Sequence, residues 1–166
     1  MISSVDFLSR WFFESRQPSA GEAAISIGDP DQDAPPVLGQ YGDRALRVQF
    51  LDIEPEDNWK HGIDIRHCLT LEQAEQIAAF LRRIHESEDR IDMVVHCEAG
   101  VSRSAAVALA AVAYARCGRR ERDASFANTH VTRLLGDALG VNVIIPPPLE
   151  IGADSPLVGL DGRPLW

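Results

Sequence analysis

The chain is 166 residues and 18.2 kDa, length for one domain rather than two, and 45% of it is hydrophobic, enough to build a single substantial core. With 25 Asp and Glu against 16 Lys and Arg, the formal net charge is -9. Such a field repels nucleic acid and anionic membranes but leaves room for one small anionic ligand.

The N-terminus, Met1 to Asp6, lacks the basic start and sustained apolar stretch of a secretory signal, and a cytoplasmic protein is expected. Trp11, Phe12 and Phe13 read as an N-terminal element packed onto the core. Residues 23–27, Ala-Ala-Ile-Ser-Ile, read as a short strand closed by Gly28, Asp29 and Pro30, with a polar, Pro-rich loop to Gly42. Leu46, Val48 and Phe50 alternate with Arg47, Gln49 and Leu51, the period of a half-buried strand ending at Asp52. The pattern lapses over 53–68, a long connection carrying Asp57, Trp59, His61 and Asp64.

Thr70 and Gln73 then form a capping box ahead of Leu71, Ala74, Ile77, Ala78, Leu81 and Ile84 at helical spacing, which predicts a helix to about Glu86. Residues 91–96 form a short apolar run with β-branched residues, as in a buried central strand. The Ala-rich stretch beyond Ser104 is apolar nearly all round, a buried helix ending near Cys117 and Gly118, and its longest apolar run, 105–115, is well short of the roughly 20 residues that span a bilayer. A last amphipathic helix carries Ala127, Val131, Leu134, Leu135 and Ala138 and closes at Gly140. One domain is expected over 1–166, with its core at about 23–140 and a Pro-rich tail, 141–166, extended over the surface. The order strand, helix, strand, loop, helix predicts a single α/β domain with a mostly parallel central sheet flanked by helices.

The chemistry concentrates between the central strand and the buried helix. Cys97 and Arg103 are separated by five residues, with Gly100 midway. A loop that short at a helix N-terminus aims several backbone N–H groups at one point, which suits a phosphate or another tetrahedral oxyanion. The same positive helix end favours a thiolate at the mouth of the loop. Arg103 supplies a planar fork for two non-bridging oxygens, and Ser102 and Ser104 supply hydroxyls, one of which would stabilise a departing thiolate. Cys68 and Cys117 read as structural, and with no CxxC pair neither a disulfide framework nor a zinc site is indicated. His61, His67, His85 and His130 lack ligand spacing and read as surface residues, and Arg116, Arg119, Arg120 and Arg122 as a solvated face.

Val95-His96-Cys97-Glu98-Ala99-Gly100-Val101-Ser102-Arg103-Ser104 matches the [IV]-H-C-x-x-G-x-x-R-[ST] signature of the cysteine-dependent protein tyrosine phosphatases, and its form is most similar to the dual-specificity branch. The resemblance is tight over 94–111 and a matter of pattern over 46–139. It implies the phosphatase-type fold, with Cys97 attacking phosphorus to form a phosphocysteine and Arg103 binding the phosphoryl group. The loop Glu98, Ala99, Gly100, Val101, Ser102 and Ser104 would hold the phosphate, the amides from Glu98 to Arg103 stabilising its oxygens. His96 would support the loop and the thiolate from behind. No metal or cofactor is required. The family's general acid is an Asp after the preceding strand. Here Val48-Gln49-Phe50-Leu51-Asp52 makes Asp52 the first choice, with Asp57 in the similar run 53–59 as its competitor.

The substrate implied is a phosphorylated protein or a small phosphomonoester, phosphotyrosine protein being the more economical. Glu98 and Ala99 stand where phosphoinositide phosphatases often carry basic residues. The HCEAGV run is nonetheless similar to cysteine phytases, which keeps an inositol phosphate open. A phosphate-binding pseudophosphatase is the non-catalytic alternative, although such proteins usually lose the Cys or Arg kept here. Sulfur transfer by a rhodanese-like domain fits Gly100 and Ser102 to Ser104 less well.

Overall fold

The computed structural model describes residues 1–62 and 64–149. In chain order the elements are β1 (Ile2–Ser9), α1 (Arg10–Glu14), β2 (Glu22–Gly28), 3-10 turns over Pro36–Arg44, β3 (Ala45–Gln49), α2 (Glu56–His61), α3 (Leu71–His85), β4 (Ile91–Cys97), α4 (Arg103–Ala115), β5 (Gly118–Arg119) and α5 (Thr129–Leu139). The strands form one five-stranded sheet in the order β3-β2-β4-β1-β5, and every pair is parallel. The expected α/β class with β4 at the centre is what the structure has.

Parallel strands covered on both faces need apolar residues on both, so strict alternation disappears. That explains β1, whose sequence shows no strand alternation. Val5 and Phe7 point into the main core, and Leu8, one residue on, enters a second cluster on the opposite face. Because β1 lies between β4 and β5, the packed core starts at Ile2 rather than near residue 23.

The main core lies between the sheet and α3, α4 and α5, and the smaller one between the sheet, α1 and the 3-10 turns. Those turns are a difference from the expected polar loop to Gly42, since Val37, Leu38 and Tyr41 are buried there. Phe13 is also buried and stacks on Tyr41, whereas its neighbours Trp11 and Phe12 are exposed, so only the last of the three aromatics packs as expected.

The capping box is present in full. Thr70 Oγ1 accepts the Gln73 N–H at 3.2 Å, and Gln73 Oε1 accepts the Thr70 N–H at 3.1 Å. Helix α4 is buried over nine consecutive residues, Arg103 to Ala111, and its alanines allow close approach to β1, β4 and α5. It stops at Ala115 because Arg116 takes a left-handed φ of 52°, while Gly118 already opens β5. Asn128 caps α5, and Gly140 ends it at φ 68°. Beyond it, Val141, Val143 and Ile145 lie against the main core as an irregular extension, and residues 150–166 of the expected tail lie outside the described residues. No helix among the described residues is long and apolar enough to cross a membrane.

Candidate active site

In a parallel sheet the carboxyl ends of the strands share one edge, and a residue just beyond a strand emerges there. Here that edge brings together Cys97 at the end of β4, Ser9 beside it at the end of β1, Asp29 after β2, and Phe50 to Asp52 after β3. The loop 98–102 closes over this edge onto the N-terminus of α4.

Gly100 explains the glycine of the signature. Its φ is +74°, and a Cβ there would fall 2.2 Å from Ser9 N and 2.4 Å from the Leu8 carbonyl carbon. The loop is thus pressed onto the end of β1, and the Arg10 N–H also donates to Glu98 O at 3.2 Å. This tight turn aims the Gly100 N–H at Cys97 Sγ, 3.3 Å away, and the Ser104 hydroxyl lies 3.1 Å from the same sulfur. The two serines therefore divide their work: Ser104 serves the sulfur, whereas Ser102 Oγ donates to Asp52 Oδ1 at 2.7 Å.

Arg103 is 5% exposed. Its Nη1 donates to Asp29 Oδ1 at 2.6 Å and to Phe50 O at 2.7 Å, and among the described residues its buried Nε has no partner. A guanidinium fixed along one edge keeps the rest of its fork for an oxyanion. In the sequence Asp29 reads only as a turn residue. The signal that would have found it is topological, since it follows the strand that pairs with the cysteine strand.

The two candidate acids part in space. Asp52 lies against the loop, its Oδ1 accepting from Ser102 Oγ and from Asn128 Nδ2 at 3.0 Å. Asp57 Oδ2 instead accepts the Glu54 N–H at 2.8 Å, closing the turn into α2. Glu54 Oε1 in turn takes the N–H and hydroxyl of Thr129 at 2.9 and 2.8 Å, which ties the acid segment to the start of α5. Glu98 is exposed at the loop's rim and accepts from Gln32 Nε2 at 2.9 Å.

His96 is buried, stacks on Phe13 with ring centroids 4.2 Å apart, and shares a 2.7 Å hydrogen bond with Ser26 Oγ, which also accepts from Arg47. Burial, reinforced by nearby arginines, pushes the His96 imidazole down to about 4. At neutral pH it is therefore uncharged, and what it contributes is packing and hydrogen bonding, not an imidazolium. Because the folded value lies below the ordinary 6.5, the unfolded chain binds the extra proton as pH falls. Stability is then lost between about pH 6.5 and 4, by about 3 kcal/mol in total. Urea midpoints of the wild type are expected to drop by the equivalent of about 2 kcal/mol from pH 7 to 5. His96→Gln should show a shallower slope; parallel slopes would assign the acid sensitivity elsewhere.

Desolvation raises the thiols of both Cys68 and Cys117, which keeps them protonated and unreactive, and all three cysteines are unpaired. Among the described residues no group of three His, Cys, Asp or Glu side chains is placed to hold a metal ion.

Residues 58–134, a little under half of the chain, match the family model for protein-tyrosine phosphatase. The match spans α3, β4, the cysteine loop, α4 and the start of α5, and it begins after both Asp52 and Asp57. No curated protein and no solved structure matches the chain. The match bears out the resemblance to the cysteine-dependent protein tyrosine phosphatase superfamily, and the parallel sheet is consistent with that fold. It supports a phosphatase acting on phosphorylated substrates.

Proposed function

We propose, on the protein-tyrosine phosphatase match and the geometry around Cys97, that the chain hydrolyses phosphomonoesters in two steps through a phosphocysteine. The observation that carries this reading is the convergence on one loop of a sulfur held by Ser104 and the Gly100 N–H, a buried arginine whose Nε has no partner among the described residues, and the Asp52 carboxylate. In the first step the Cys97 thiolate forms an S–P bond as the ester P–O bond breaks. The bonding electrons go to the leaving oxygen, which takes the proton of the Asp52 carboxyl group. Arg103 and the loop amides carry the charge of the equatorial oxygens. In the second step water attacks phosphorus, Asp52 takes the water proton, and the S–P bond breaks to give inorganic phosphate and a thiolate stabilised by Ser104.

Substrates carrying one phosphate fit best. Glu98 at the rim and the net charge of -9 disfavour a headgroup bearing several, so a phosphorylated protein is preferred to an inositol polyphosphate. Exposed Trp11 and Phe12, on the helix that bonds the loop through Arg10, offer apolar surface to an aryl leaving group. The dual-specificity branch remains the closer likeness by motif. A reducing cytoplasm is the compartment in which the nucleophile stays a free thiol.

The test is release of phosphate from para-nitrophenyl phosphate with chelator present, beside a phosphopeptide titration with product assayed in the same tube. Turnover is expected in both; tight binding without phosphate would reassign the chain as a binding module, and thiosulfate turnover alone as a sulfurtransferase. Asp29 gives a finer prediction. Its side chain is 46% exposed while that of Arg103 is 6% exposed, and it orients the fork that must meet the phosphoryl group. Asp29→Ala is expected to lower kcat/KM about tenfold and to weaken inhibition by inorganic phosphate similarly, with Asp29→Asn milder. Unchanged phosphate inhibition in Asp29→Ala would show that Phe50 O alone orients Arg103.

A further inference from the structure

We infer that Asn128 is a positioning residue for the acid step, holding Asp52 so that its Oδ2 is the oxygen that carries the proton. The inference rests on the reading of Asp52 as general acid. In sequence Asn128 looks like an ordinary helix cap, and it does cap α5, its Oδ1 accepting the Val131 N–H at 3.0 Å. The other end of the same amide does something a cap does not require. Its Nδ2 donates to Asp52 Oδ1 at 3.0 Å and reaches Ile53 O at 3.5 Å, while its backbone N–H points to Ser102 O at 3.4 Å. With a residue exposure of 5%, the amide is packed between three segments: the start of α5, the acid segment and the cysteine loop.

Both donors that reach Asp52, Ser102 Oγ and Asn128 Nδ2, converge on Oδ1, and among the described residues Oδ2 has no partner. A carboxyl group whose one oxygen accepts two hydrogen bonds takes its proton on the other oxygen. Asn128 and Ser102 therefore select which oxygen donates, and they fix the plane of the group. Because an amide nitrogen is only a donor, Asn128 holds this orientation whether Asp52 is protonated in the first step or ionised in the second. The Glu54 to Thr129 bonds hold the same segment one turn further on.

Asn128→Ser and Asn128→Thr separate the two roles, since both side chains cap helices but neither supplies the amide donor. Their thermal midpoints are expected near wild type. On phenyl phosphate, whose leaving group needs a proton, each is expected to lose about tenfold more kcat than on para-nitrophenyl phosphate. In an Asp52→Ala background the added loss on phenyl phosphate is expected to vanish, because an absent acid cannot be positioned. Equal losses on the two esters, or a full additive loss in that background, would leave Asn128 a helix cap only and overturn the inference while the acid reading stands. If Asp52→Ala itself does not discriminate between the esters, the acid reading fails and takes this inference with it.

Discussion

Cys97→Ser is expected to lower kcat on an aryl phosphate by at least about a thousandfold. A hydroxyl at this position is a far weaker nucleophile than a thiolate, and the groups beside the sulfur, the Gly100 N–H and the Ser104 hydroxyl, are suited to stabilising an anion that serine does not form at neutral pH. The variant should fold, because the serine Oγ occupies the same buried position between those two partners. It should also still bind phosphopeptide, since the loop amides and Arg103 are untouched. Wild type quenched in acid during turnover is expected to carry one additional phosphoryl group, absent from Cys97→Ser. Residual turnover within tenfold of wild type in a folded Cys97→Ser protein would dismiss the covalent mechanism.

Asp52→Ala carries the second large effect, a loss of about a hundredfold to a thousandfold in kcat on phenyl phosphate. The loss should be much smaller on para-nitrophenyl phosphate, whose leaving group departs without a proton. The fall of the pH profile on its basic side, which reports a protonated acid, should disappear with the carboxyl group. Asp57→Ala is the control. Its carboxylate closes the turn into α2 by accepting the Glu54 N–H, so its removal loosens the acid segment without removing a proton donor. A moderate loss equal on both esters is expected there. A steep leaving-group dependence in Asp57→Ala, with none in Asp52→Ala, would move the acid to Asp57.

The elements with one apolar face were legible from the sequence. The capping box at Thr70 and Gln73 set the start of α3, the alternation at Leu46, Val48 and Phe50 marked β3, and Gly140 ended α5. Strand β1 escaped because it is covered on both faces, so Ser and Asp interrupt its pattern without turning it outward. The turns over Pro36–Arg44 escaped because a polar, Pro-rich stretch gives no sign that Val37, Leu38 and Tyr41 meet Phe13 beneath the sheet.

What the sequence by itself determined is the cysteine loop. Its residues are contiguous, and their spacing carries the requirement directly: Gly100 where no Cβ fits against β1, Arg103 at the first turn of α4, Cys97 at the end of a buried strand. What only the tertiary structure decided is which distant side chains meet that loop. Asp29, Asp52 and Asn128 arrive from 74, 50 and 76 residues away along the bonds that join them to Arg103, Ser102 and Asp52. The residues between them carry no periodicity that encodes those contacts. Parallel strand order sets the meeting, because pairing β2 with both β3 and β4 brings the segments beyond their carboxyl ends to one edge of the sheet, and the packing of α5 on α3 and α4 delivers Asn128 to the same edge.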